Sequence, residues 1–170
     1  STIYNKIKMV EADLCDLSGL LRHVKMIRPD IIFHLAAQSY VLTSFNTPVQ
    51  TIWTNVIGTV NLLEAVRLSE INPVIHICSS SEVYGQVSED EVPITESCPF
   101  RPASPYAVSK VGEDMVAFQY WVSYKIKTIR TRMFTHTGPR RGDVFAMSFF
   151  GKQIAAAELG LKEPIIHVGN

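Results

Sequence analysis

The sequence predicts an α/β fold, a doubly wound parallel sheet of the Rossmann-like kind, on three observations. Short apolar runs rich in β-branched residues come singly, never as hairpins. Longer segments of helical period separate them. One run, DIIFHLAA at 30–37, is apolar almost throughout, as a strand covered on both faces must be. Parallel neighbours need crossover connections, and right-handed crossovers place helices on both faces of the sheet.

The elements follow in chain order. A strand is expected at 7–10 and a helix at 18–27, then the apolar strand at 30–37. Residues 49–69 carry Val56, Val60, Leu63 and Val66 at spacings of three and four, the stripe of a long amphipathic helix. VIHICSS at 74–80 is a second buried strand. Ser104 followed by Pro105 sets an N-cap before a proline at the first helical position, opening a helix that runs to Tyr124. A strand at 126–134, a helix at 146–159 closed near Gly160, and a short strand at 165–168 complete the pattern.

Composition narrows the function. With 46% hydrophobic and 19% charged residues over 170 positions, the chain can hold a core without disulfides or a structural metal. Sixteen Lys and Arg balance sixteen Asp and Glu, so there is no basic excess for nucleic acid. The odd, scattered Cys15, Cys78 and Cys98 fit a reducing compartment, and no metal-ligand spacing occurs among the histidines and cysteines. No apolar run approaches the roughly 18 residues of a membrane span, and the start of the chain lacks signal-peptide order. These readings point to a cytoplasmic protein with no membrane or nucleic-acid partner.

One expected piece is missing. The first glycine is Gly19, and no GxGxxG or GxxGxxG occurs. Residues 1–170 therefore read as a single partial NAD(P)-binding domain, lacking the first strand with its Gly-rich turn and the C-terminal substrate-binding part, which starts from about residue 140. The run Ile166-His167-Val168-Gly169-Asn170 stops abruptly, in keeping with a fragment. The opposing reading is a non-catalytic module that keeps the sheet without a dinucleotide site.

Open parallel sheets bind ligands beyond the carboxyl ends of their strands. There the sequence places Ser79-Ser80-Ser81-Glu82-Val83-Tyr84-Gly85, and 20 or so residues on, Ser104-Pro105-Tyr106-Ala107-Val108-Ser109-Lys110. Tyr106 and Lys110, four apart, share one face of a helix. An ammonium beside a phenol favours the phenolate, so Tyr106 is expected to have a lowered pKa and to act as a base on a hydroxyl, with Ser80 sharing a hydrogen bond to the same oxygen.

Asp13-Leu14, HLAAQS, NVIGTVNLLEA, SSSEVYG and SPYAVSK stand in the order seen in the extended short-chain dehydrogenase/reductase family of nucleotide-sugar enzymes, and the chain resembles that family over nearly its whole length. Within it, MFTHTGPRRG and Glu82 are most similar to the GDP-mannose 4,6-dehydratase branch, with a GDP-4-keto-6-deoxy-mannose reductase or another nucleotide-sugar epimerase or dehydratase as the alternative. The resemblance implies a lyase with an internal hydride cycle on a GDP-sugar. It gives Tyr106 and Lys110 to the C4 hydroxyl and the cofactor ribose, Ser80 to the C4 oxygen, and Glu82 to the C5 hydrogen. It implies NADP, with NAD not excluded, held by Asp13 and Leu14 at the adenine, Leu35, Ala36, Ala37, Gln38 and Ser39 along the nucleotide, Lys110, His136 near the carboxamide and Arg141 near a phosphate. Plain alternatives stay open: Asp13 as a helix cap, Ala36 and Ala37 as close-packing residues, His136 as a loop histidine, and Arg140-Arg141 as a subunit contact. The same resemblance implies a homo-oligomer built on the helices from Val49 and from Tyr106. Thr135 departs from the family's usual Asn, and Ser80 stands where its dehydratases often carry Thr.

Overall fold

The computed structural model describes residues 6–168, and the chain divides into two units, the first ending at Phe134 and the second beginning at Thr135. In the first unit, helix α1 (Leu17–Ile27) leads to strand β1 (Ile31–His34); α2 (Val41–Asn46), α3 (Pro48–Ile52) and α4 (Gly58–Leu68) lead to β2 (Val74–Ser80); α5 (Pro105–Tyr124) leads to β3 (Thr128–Met133). The three strands lie side by side in the order β1-β2-β3, both pairs parallel, with Ile75 opposite Ile32 and Thr128. Each strand-to-strand step thus passes through helix, as parallel pairing requires.

The core explains the arrangement. Ile75 and Ile77 point from β2 into a cluster with Val24 of α1, Leu63, Ala65 and Val66 of α4, Ala117 and Tyr120 of α5, and Ile126. Burying such side chains supplies the main favourable term for docking these helices. Alternation puts Ile31, Phe33 and Ile129 on the opposite face, where they are 58, 69 and 54% exposed. The parallel α/β, Rossmann-like architecture matches the expectation, but within the first unit helices cover one face only, not two.

Three further expectations are corrected. Residues 7–10 form no strand, because no neighbouring backbone pairs with them and Ile7, Met9 and Val10 stay exposed. The helix read at 49–69 is broken in kind: a π-helical turn (Trp53–Ile57) joins α3 to α4. In the second unit, α6 (Ala146–Glu158) forms as expected, but residues 165–168 are not a strand. There the Gln153 side chain accepts the His167 N–H at 2.8 Å and donates to its carbonyl at 3.1 Å, occupying the groups a ladder would use. Gly169 and Asn170 lie outside the described residues. Among the described residues no helix is long and apolar enough to cross a membrane.

Candidate active site

The site grows from the carboxyl end of β2. Ser80 is fully extended, and its Oγ accepts the Glu82 N–H at 3.2 Å, starting a 3-10 turn over Ser81–Tyr84. Gly85 ends that turn at φ +61°, and a Cβ there would lie 1.9 Å from the Arg101 carbonyl oxygen, so only glycine lets the two segments touch. The result leaves Glu82 exposed at the strand end while Val83 and Tyr84 are buried beneath it.

Helix α5 comes alongside. Ser104 Oγ accepts the Ala107 N–H at 3.0 Å and Pro105 occupies the first turn, which fixes where the helix starts and hence where Tyr106 points. One turn on, Lys110 is 4% exposed. Its Nζ donates to the Cys78 carbonyl and to Glu113 Oε2, both at 3.0 Å, and lies 5.8 Å from the centre of the Tyr106 ring. Ser79 Oγ donates to the Lys110 carbonyl at 3.1 Å, a second tie between β2 and α5.

Tyr106 and Lys110 therefore share one side of α5, against the strand end that bears Ser80 and Glu82. The Ser80 hydroxyl acts on the Tyr106 phenol, favouring ionisation. The expected acidity of that phenol is nevertheless reversed. Burial first, with Glu113, Cys78 and Glu82 adding negative potential, holds the Tyr106 pKa above its ordinary value despite Ser80. Sequence spacing reveals the ammonium but not the carboxylate that binds it.

Asn55, which the sequence reading left unassigned, proves central to the scaffold. It sits in the π-helical turn, fully buried. Its Oδ1 accepts the Gln38 N–H at 2.7 Å, and its Nδ2 donates to the Gln38 carbonyl and to Ser109 Oγ at 3.0 and 2.8 Å. One amide thus ties the loop after β1 to α5. The close approach depends on Gly112, where a Cβ would meet Val56 at 2.7 Å. The signal in the sequence was a lone Asn inside an apolar helical stripe, a residue type that stays buried only when fully bonded. Thr59 extends the network. Its hydroxyl hydrogen goes to the Asn55 carbonyl at 2.7 Å, so His34 Nε2, 2.9 Å away, is the donor in their contact. Burial first, then the charge of Lys110, push His34 down to about 4.

The other candidates fall in separate places. Gln38 is half-buried beside exposed Leu35, Ala36 and Ser39, with Ala37 between. Asp13 does not cap α1. Its Oδ1 accepts the Cys15 N–H at 2.8 Å instead, while Leu14 packs so closely on Gly58 that a Cβ there would lie 2.5 Å from it. His136 and Arg141 belong to the second unit, where the Arg141 guanidinium lies 3.8 Å from the centre of the Phe145 ring. No group of three His, Cys, Asp or Glu side chains among the described residues could hold a metal ion.

A protein-family model described as GDP-mannose 4,6 dehydratase matches residues 1–170. The chain belongs to the GDP-mannose 4,6-dehydratase family. It is 41% identical over 160 residues to a GDP-mannose 4,6-dehydratase of Yersinia enterocolitica, covering 93% of this chain and 42% of that protein. It is also 36% identical over 142 residues to a GDP-6-deoxy-D-mannose reductase of Pseudomonas aeruginosa, covering 84% of this chain and 47% of the relative. Among solved structures, that of RMD from Pseudomonas aeruginosa complexed with NADPH superposes with a TM-score of 0.90 at 34% identity, over 95% of this chain and 55% of the other. A dTDP-glucose 4,6-dehydratase from Streptomyces venezuelae with NAD bound gives 0.80 at 32% identity, over 87% and 44%. The chain thus spans about half the length of the family members it matches.

Proposed function

We propose that this chain is the cofactor-side half of an NADP-dependent GDP-mannose 4,6-dehydratase, which converts a GDP-sugar to its 4-keto-6-deoxy derivative. The observation that carries the reading is the convergence of Ser80, Glu82, Tyr106 and Lys110 at the carboxyl end of β2. The residues present fit a dinucleotide: Gln38 Oε1 is a buried acceptor without a partner, on the loop that Asn55 fixes after β1, and Lys110, bound to the Cys78 carbonyl of the next strand, has one ammonium hydrogen left after its two bonds. When bound, NADP supplies the hydride acceptor for C4 and the hydride donor for C6, so no cofactor is consumed.

The chain's own residues divide the proton work. Tyr106 takes the C4 hydroxyl proton as the phenolate, the form that burial opposes and that the nearby Lys110 ammonium favours. Ser80 holds the C4 oxygen. With C4 a ketone, the C5 hydrogen is acidic, and exposed Glu82 removes it as the C6 hydroxyl leaves with a proton as water. Leu35 to Ser39, Asp13, Leu14, His136 and Arg141 are assigned to the nucleotide on the family resemblance. The exposed apolar side chains of Val49, Trp53, Val108 and Met115, on α3, the π-helical turn and α5, support a homo-oligomer. The protein is assigned to the cytoplasm on its cysteine usage.

The test uses the enzyme at its full natural length. Incubated with GDP-mannose and no added reductant, it forms a keto sugar without net change in NADPH absorbance. Glu82→Gln keeps NADP binding by calorimetry but loses water elimination; unchanged turnover removes Glu82 from this role. A second reading, a GDP-4-keto-6-deoxy-mannose reductase, is favoured by the 36% identity to a GDP-6-deoxy-D-mannose reductase; stoichiometric NADPH consumption with a keto-sugar substrate decides for it.

A further inference from the structure

We propose that Glu113 is a positioning residue for the Tyr106–Lys110 pair: it fixes the Lys110 ammonium against the end of β2 and, through its charge, sets how much of the Lys110 field reaches the Tyr106 phenol. This rests on the reading of Tyr106 as the base. Glu113 is 1% exposed and stands three residues after Lys110 on α5, with Oε2 at 3.0 Å from Nζ. Its other oxygen, Oε1, is buried with no hydrogen-bond partner. A half-satisfied buried carboxylate is a costly thing to keep, and neither the core nor the helix requires it, since an apolar residue of similar size would fill the same space at lower cost.

What the carboxylate does is visible in its neighbours. With the Cys78 carbonyl, it takes two of the three ammonium hydrogens and leaves one. It also adds negative potential at Tyr106, after the larger effect of burial and against the Ser80 hydroxyl. Glu113 itself is pushed up to about 7 by burial, opposed by Lys110. Protonating it near neutrality therefore releases the Lys110 field toward Tyr106, so the phenol and the carboxyl titrate as a coupled set. The groups facing this set are His34 from β1, the Cys78 thiol from β2, Glu82 from the 3-10 turn and Tyr106 from α5. The α2 and α3 helices and the π-helical turn, packed on α5, offer Ser44, Thr51 and Asn55, which are buried and carry no charge. The charged groups that α4 and β3 bring to α5 are engaged elsewhere, Glu64 with Arg67 and Tyr120, and Arg130 and Arg132 with Asp114.

Glu113→Gln keeps an acceptor for Lys110 and removes the charge. In the full-length enzyme with GDP-mannose and NADP, the rising limb of kcat against pH moves to lower pH by about one unit, while the KM for GDP-mannose and the unfolding midpoint stay close to the parent values. A purely structural carboxylate would lower the midpoint and leave the limb in place, and that result overturns the proposal. Carbonyl NMR of 13C-glutamate-labelled parent enzyme gives a second measure that needs no folded variant at 113: the Glu113 signal titrates near neutrality and moves higher in Lys110→Met. Titration in the ordinary glutamate range overturns the proposal as well. Tyr106→Phe separates the two levels. Retained activity in that variant sinks the role of Tyr106, whereas an inactive Tyr106→Phe beside an unshifted Glu113→Gln limb sinks only the role of Glu113.

Discussion

The two ends of the same buried layer differ sharply in chemistry. Toward the middle of the sheet, Leu63, Val66, Ile75, Ile77 and Ala117 are fully buried and wholly apolar. Toward the carboxyl ends of β1 and β2, His34, Asn55, Thr59, Ser79, Ser109, Lys110 and Glu113 are buried to the same degree, and all are polar. The first region costs nothing in unsatisfied groups; the second is held by a chain of side-chain hydrogen bonds from His34 through Thr59 and Asn55 to Ser109. The candidate site is therefore a polar extension of the core, not a surface cleft added to it. Stability and chemistry are separable along α5: its later turns pack, and its early turns present reactive groups.

That contrast can be broken from either end. The largest effect is expected at the polar end, where Tyr106→Phe lowers kcat by about 10²–10⁴-fold, the usual weight of a general base, with an unchanged unfolding midpoint. At the apolar end, Leu63→Ala lowers unfolding free energy by about 2–5 kcal/mol in a denaturant titration and leaves the pH profile of the rate unmoved. A loss of catalysis as large as the loss of stability would show that the two regions are not separable. The third and smallest effect sharpens the boundary between them. His34 is neutral in the fold, with its pKa lowered to about 4 from 6.5. Between those values the unfolded chain binds the proton and the folded one does not, so His34 contributes a loss of stability as pH falls through that window, on the order of 3 kcal/mol at most. Glu113, pushed up to about 7 from 4.5, acts in the opposite sense, its stabilising protonation being lost as pH rises through that range. The difference between parent and His34→Gln isolates the histidine: the variant loses less stability on acidification below pH 6.5, and parallel curves would refute the assignment.

The elements most legible in the sequence carried their own boundary chemistry. The Ser104-Pro105 start fixes α5 at its observed residues, and the run VIHICSS is β2 end to end. Residues 7–10 and 165–168 have strand-like composition too, but a strand exists only where another backbone accepts its hydrogen bonds, and composition does not report that. The π-helical turn was invisible for a different reason, since an apolar stripe passes through it without a break in polarity. At the site, the i, i+4 spacing placed Tyr106 and Lys110 together, yet the acidity of Tyr106 came out reversed because burial and Glu113 are tertiary facts. The family resemblance named chemistry for each residue, but neither spacing nor resemblance exposed the Asn55 clamp.

The wide turn at Trp53–Ile57 has a consequence for how this protein tolerates change in length. Losing one residue there would allow the run to close as an ordinary α-helix, a locally more comfortable backbone. It would also swing everything upstream by about 100° relative to α4, carrying the Asn55 amide away from Gln38. Shortening the chain at this spot would tidy the helix while cutting the loop loose from it, so insertions and deletions should be far better tolerated in the Glu89–Glu91 region than here.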